Sequence, residues 1–146
     1  MLLGAAMLIP RRVFDLVGGW DEDYFFGGED LDLSSRIGRH YRLLFYPEAE
    51  VTHFGGVSTK LNLDFASTAI MIGFLKFLRK CGYSRATLLF YKLMVTLDLP
   101  LQISYRLLQT GLRLFQLQRK KALRSWQVLR SLIHFVCKGL PNFWQS

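Results

Sequence analysis

Acidic side chains all but vanish from the second half of this chain. After Asp64 the sole carboxylate side chain is Asp98, set against 13 Lys and Arg in residues 65–146, a local net charge of +12. Residues 1–64 run the other way, with six basic against ten acidic residues and a net of −4. The overall +8 conceals this division. An acidic front joined to a basic, apolar back points to two different jobs. Cysteine is scarce as well. Cys81 and Cys137 stand 56 positions apart without metal-type spacing, which argues against a disulfide scaffold and reads as two reduced thiols in a cytosolic protein. No basic n-region or small-residue cleavage site marks a signal peptide, and Met1-Leu2-Leu3 reads like the middle of a buried strand. A clean membrane span is missing too. Spanning takes roughly 20 mostly apolar residues, and the best window, Leu88 to Tyr105, contains Lys92, Asp98 and Pro100. There is no internal repeat, no low-complexity tract and no recognised nucleic-acid reader motif, so nucleic acid is not an expected partner.

What is present divides into two regions. The chain has 146 residues, one domain's worth, and 51% of them are hydrophobic. Residues 1–60 form the first region. Leu2 to Ile9 suits a short buried strand. Pro10 opens a short helix from Arg11 to Val17 that Gly18-Gly19 stops. A loop rich in acids and aromatics, Trp20 to Phe26, leads to Gly27-Gly28, which permits a tight turn. A helix follows from about Glu29 to Gly38. Glu29, Asp30 and Asp32 sit in its first turn, where the macrodipole favours negative charge, and Arg36 lies four residues past Asp32. Tyr41 to Tyr46 reads as a strand ended by Pro47, and Val51 to Phe54 as a second one. Residues 61–146 form the second region, helical throughout. Its patterns run Phe65 to Arg79, Ala86 to Gln118 with a kink at Pro100, and Leu123 to Cys137. Arg and Lys recur among Leu, Phe and Ile, the composition of helices lying in a membrane interface. Attachment to an anionic inner leaflet is the preferred reading, with an ordinary helical pair packed on its own enzyme as the plainer one.

Chemistry has to come from the first region. Asp30 is a carboxylate fixed at a helix start beside a glycine turn, the position a general base needs beside a cleft. His53, on an extended segment ending at Gly55-Gly56, could offer a neutral imidazole to a metal. Each has a plainer reading. Acids at a helix start commonly cap and complement the dipole, a lone His is more often structural, and Trp20, Phe25 and Phe26 fit a core.

The joint order of the motifs decides between these readings. Gly4-Ala5 with Leu8, Arg11-Arg12, Gly18-Gly19-Trp20-Asp21-Glu22, Glu29-Asp30-Leu31-Asp32-Leu33 with Arg36, Pro47 to His53, and Gly55-Gly56-Val57-Ser58 follow one another over about 55 residues. In that order they resemble the acceptor-side, C-terminal part of a family 2 glycosyltransferase of the GT-A type, of the rhamnosyltransferase-like kind. The resemblance implies an α/β fold, a partial GT-A domain lacking its N-terminal half, followed by a helical tail. It implies that Asp30 is the catalytic base, that Glu29 shapes the acceptor pocket, and that Trp20, Asp21 and Glu22 hold acceptor sugar. It implies that His53 is a ligand or near-ligand of Mg²⁺ or Mn²⁺ bound with the donor diphosphate. The D-x-D at Asp30-Leu31-Asp32 is not that family's metal motif, which sits after an earlier strand. The implied reaction is an inverting, single displacement from a nucleotide-sugar donor to a hydroxyl of a glycan or lipid-linked acceptor. The implied setting is the inner face of the plasma membrane, in cell-surface polysaccharide synthesis. The family's donor-binding half has no counterpart here, so the polypeptide as given is expected to have little or no activity alone and to need a separate chain or upstream segment. Rhamnose follows only from the flavour of the motifs. The alternatives of other classes are a noncatalytic peripheral membrane-binding helical protein whose front half is a relic and, more weakly, a small nucleic-acid-binding protein driven by the +12 tail.

Overall fold

The computed structural model describes residues 4–56 and 62–146. Six α-helices carry the described chain: α1 (Arg11–Leu16), α2 (Glu29–Gly38), α3 (Leu63–Lys80), α4 (Arg85–Phe115), α5 (Arg119–His134) and α6 (Leu140–Gln145), with a π-helical segment, Phe135–Gly139, between the last two. The helix expected after Gly27-Gly28 stands where it was expected. The long helical tail also follows the sequence pattern, and α6 is an addition to it. The division placed between residues 60 and 61 lies outside the described residues, as do Met1-Leu2-Leu3 and Val57-Ser58.

The α/β expectation, with its partial GT-A fold, is overturned. No strand occurs among the described residues, and the chain is a helical protein. Residues 41–46 and 51–54 are unpaired coil with a bend at Tyr41, and the described part of the expected first strand is turn, bend and coil. The physical reason is a lack of neighbours. A strand is stable only when its N–H and C=O groups meet an adjacent strand, and apolar alternation alone does not supply one. Leu44, Phe45 and Phe54 accordingly lie 75–90% exposed.

Two cores form. The smaller gathers Val13 of α1 with Leu33 and Ile37 of α2, and Met7, Ile9 and Leu43 pack on it. The larger joins Leu75 of α3, Leu99 of α4, Leu132 of α5 and Phe135 to Phe143 of α6. An aromatic chain runs through it: Phe74 to Tyr91 at 5.1 Å, Tyr91 to Phe143 at 5.8 Å and Phe143 to Phe135 at 6.1 Å between ring centroids. Caps explain two helix starts. Asn62 accepts from Phe65 N at 3.3 Å to open α3, and Ser84 Oγ accepts from Thr87 N at 3.2 Å to open α4. The π-helical turn brings Gly139 against α3. A Cβ there would meet Thr68 Oγ1 at 2.8 Å and the Phe135 ring at 2.4 Å.

α4 is 31 residues long, about 46 Å at 1.5 Å per residue. It continues through Pro100 as one element, where the sequence suggested a kink or break. By length and composition it is the one helix among the described residues able to cross a membrane. α5 runs back along it after the turn at Gln116–Gln118.

Candidate functional site

The candidate site lies where the loop of residues 20–28 and the start of α2 meet α3. The meeting depends on missing side chains. Gly27 (φ +81°) and Gly28 (φ +99°) adopt the left-handed conformation that glycine tolerates. Their backbone lies directly on Gly73 in the middle of α3. A Cβ on Gly73 would sit 1.8 Å from the Gly27 carbonyl oxygen, and one on Gly27 would sit 2.8 Å from Ile70 Cγ1.

From that contact the loop runs antiparallel along one face of α3, where Ile70, Gly73, Lys76 and Lys80 recur at helical spacing. Lys76 Nζ donates to the Asp23 carbonyl at 2.7 Å. Lys80 Nζ pairs with Asp23 at 2.7 Å and with Asp21, and stands 5.2 Å from the centre of the Tyr24 ring. The end of α3 thus latches the loop. In the sequence Lys76 and Lys80 stand only as two of the many cations of the basic second region. The available signal was their i, i+4 spacing below Gly73, which matches the two acids flanking Glu22.

The latch sets two ionisations. The hydrogen bond from Lys80 holds the Asp21 carboxyl below the usual aspartate range, and the carboxylates of Asp21 and Asp23 raise the Lys80 ammonium. A lowered folded-state value for Asp21 means its contribution is complete above the unfolded aspartate value and fades as pH falls through the folded one. A raised value for Lys80 means its contribution is complete below the unfolded lysine value and is lost only as pH rises through the folded one. The latch therefore holds across neutral pH. We expect the protection of amides in residues 21–24, taken against the intrinsic exchange rate at each pH, to be strong and flat near neutrality and to weaken below about pH 4, near the ordinary aspartate range. Lys80→Gln should remove that protection and make exchange fast at pH 7. An unchanged exchange rate in that variant would show that the latch does not order the loop.

Tyr24, which sequence reasoning passed over, is buried beneath Lys80. Burial, then the nearby Asp32 charge, pushes its hydroxyl up to about 12. The folded state resists tyrosinate, so stability should fall as pH rises from about 10, where an unfolded tyrosine ionises, towards 12. Spectrophotometric titration of the tyrosines would show Tyr24 ionising late, along with Tyr91, whose hydroxyl burial also pushes up.

The first turn of α2 presents the carboxylates. Asp30 Oδ2 accepts from Gly4 N at 3.2 Å and Oδ1 accepts from Leu31 N at 2.9 Å, so backbone groups orient a half-buried side chain. Glu29 is half-buried beside it, and its Oε2 is enclosed without a hydrogen-bond partner among the described residues. Asp32 serves the scaffold. It is buried and bonded to Arg36 at 2.7–2.8 Å, and Arg36 also donates to the Val17 carbonyl at the end of α1. The second acid of the D-x-D is therefore committed to an ion pair.

The remaining candidates are more open. Trp20 is half exposed, edge-on to Phe14 with ring centroids 6.5 Å apart. Glu22 is exposed between the two latched acids. His53 is exposed on the coil before the Gly55-Gly56 turn, its ring beside Gly55. Among the described residues no group of three or more His, Cys, Asp or Glu side chains could hold a metal. Mg²⁺ asks for near-octahedral oxygen ligands, and exposed His53 by itself does not fit that need. The structure thus ties Asp21 to Lys80 on α3, sets Glu29 and Asp30 together in the first turn of α2, and leaves His53 on an open segment. Beside the turn a groove of about 240 Å³ opens between Phe25, Phe26 and Gly27 on one side and Phe65, Ala69 and Ile72 of α3 on the other.

Comparison with known proteins gives a partial likeness to a glycosyltransferase. Over 59 residues, 40% of this chain, it is 46% identical to N-acetylglucosaminyl-diphospho-decaprenol L-rhamnosyltransferase of Mycobacterium tuberculosis, in strain CDC 1551 / Oshkosh and equally in strain ATCC 25618 / H37Rv. The match spans 19% of those relatives' length. No family profile matches the chain, and no solved structure does.

Proposed function

We propose that this chain supplies the acceptor side of a sugar transfer carried out at the inner face of the plasma membrane. The supporting observation is the 46% identity to a sugar transferase in a chain whose Asp30 stands, oriented by backbone, at the start of a helix beside a glycine turn. The acceptor is a hydroxyl of a glycan or of a lipid-linked sugar, and the donor is a nucleotide sugar. Asp30 takes the proton from the acceptor hydroxyl as its oxygen attacks the anomeric carbon. The bond from that carbon to the diphosphate oxygen breaks, and the nucleotide diphosphate leaves with the electron pair. Attack from the opposite face inverts the anomeric centre. Glu29 and the loop of Trp20, Asp21 and Glu22 shape the acceptor pocket. The latch of Lys76 and Lys80 on that loop keeps the pocket in one geometry, so less ordering is needed when acceptor binds. The donor, with its divalent ion, is held by residues other than those described here, on a further segment or a separate chain.

The test is transfer of radiolabelled sugar into lipid-extractable product by membranes that contain the chain together with its donor-binding component. Transfer that requires this chain and a carboxylate at Asp30 supports the proposal. Transfer indifferent to deletion of this chain would overturn it and favour the noncatalytic membrane-binding reading.

A further inference from the structure

We propose that the outer face of α4 and the turn joining α4 to α5 form the surface by which this protein lies against a bilayer containing anionic lipid. This rests on the membrane-side reading above for its setting, and it names the residues in contact. α4 is built inside out for a helix in water. Along its outer side Leu89, Leu93, Leu97, Leu101, Leu108 and Leu112 are 43–70% exposed. Beyond the exposed Arg85 at its start, its cations turn the other way, towards the neighbouring helices or along α4 itself. Lys92 Nζ donates to the Trp144 carbonyl at 2.8 Å, Arg106 Nη1 to Gln109 Oε1 at 3.0 Å, and Arg113 Nη1 to the Lys121 carbonyl at 3.0 Å. A surface helix in water places apolar residues inward and charges outward. Only 6% of the most apolar window of α4 is buried, so the stripe is a large apolar surface of the kind that marks an interaction site.

The turn points to the same partner. Phe115 is 88% exposed and Leu117 is 81% exposed. Leu117 has φ +57°, the left-handed conformation that disfavours every side chain with a Cβ and that glycine adopts freely. A leucine held there, projecting at the tip, is unfavourable in water and useful in an acyl layer. Directly behind it Arg119, Lys120 and Lys121 are exposed and complement anionic headgroups. The same arrangement argues against α4 crossing the bilayer. α5 packs along α4 and exposes Arg124, Gln127 and Arg130, which a crossing would draw into hydrocarbon. α4 therefore lies along the interface with its leucine stripe inward and the tip inserted.

The experiment is flotation of the full chain, diluted from detergent, with phosphatidylcholine vesicles made with and without phosphatidylglycerol. The wild type should float with both and more tightly with the anionic ones. Arg119→Gln, Lys120→Gln and Lys121→Gln together should weaken binding to the anionic vesicles roughly a hundredfold and leave the neutral ones unaffected. Leu117→Gly should weaken binding to both about tenfold or more while raising the thermal midpoint, since glycine relieves the backbone. A purely structural leucine would not move the two readouts in opposite directions. The proposal falls if these variants float like the wild type. It also falls if, without lipid, the wild type forms a stable dimer through the leucine stripe and then ignores vesicles. No sugar donor or acceptor enters the assay, so its failure is read separately from failure of the transferase proposal.

Discussion

Replacing Gly73 by alanine should destabilise the protein by roughly 2 kcal/mol, at the middle of the range for overpacking a close contact. The sign is the informative part. In a helix interior Gly→Ala alone adds about 1 kcal/mol of stability, through backbone entropy in the unfolded chain and helix propensity. At Gly73 the new methyl would sit 1.8 Å from the Gly27 carbonyl oxygen, and that neighbour is backbone rather than the yielding end of a side chain. Relief requires the loop of residues 21–28 to lift from α3, which separates Lys76 and Lys80 from Asp23 and Asp21. Gly111 is the internal control. It lies in α4 with nothing within 4 Å of its would-be Cβ, so Gly111→Ala should stabilise by about 1 kcal/mol. Denaturant unfolding of the two variants measures both. If Gly73→Ala stabilised like Gly111→Ala, the loop would not rest on α3 in solution.

In the complete transfer system, Asp30→Asn should lower kcat about 10²- to 10⁴-fold, the usual contribution of a positioned general base. The amide keeps the shape and can still accept from Gly4 N, so the acceptor KM should change little. That pattern marks an interaction made only in the transition state. Glu29→Gln should act differently and leave kcat near normal, because in the proposal Glu29 shapes the pocket and takes no proton, and its Oε2 is enclosed rather than open to a sugar hydroxyl. Asp32→Asn should chiefly destabilise, since it leaves Arg36 without its buried partner. Near-normal kcat in Asp30→Asn would reject Asp30 as the base.

The sequence made the helices legible and the sheet misleading, for one physical reason. α2 announces itself locally, with glycines before it, three acids in its first turn and Leu33 and Ile37 on one face. The apolar runs of α3, α4 and α5 likewise carry their own periodicity. The segments at 41–46 and 51–54 carry strand-like composition, but pairing is a property of two segments, and composition reports only one. The candidate site stands in the sequence only as residue types in order: Trp20, Asp21, Glu22, Glu29, Asp30. What orders them was not legible there. Gly73 is one small residue in an apolar helix, and its meaning depends on a carbonyl 46 positions earlier. Lys76 and Lys80 looked like part of a basic tail, and their partners are Asp21 and Asp23, more than 50 residues away. The charge division between the halves, read as two separate jobs, is in part the attraction that holds them together. The direction in which α4 turns its cations was available in the spacing, since Lys92, Arg106 and Arg113 recur at multiples of seven and share one face, but composition alone does not report it.

The contact at Gly73 also behaves as a mechanical stop. Backbone rests on backbone there, with no side chain to flex, so the start of α2 cannot slide or roll along α3 without first rising off it. α3 is in turn seated on α5 and the π-helical turn, through Ser67 Oγ to Ser131 Oγ at 3.2 Å and through Gly139 against Thr68. Asp30 is therefore carried at a set height above whatever plane α4 occupies. The fold works as a gauge block, and under the transferase proposal a hydroxyl displayed at the wrong distance from that plane would miss the carboxylate however well it matched in chemistry.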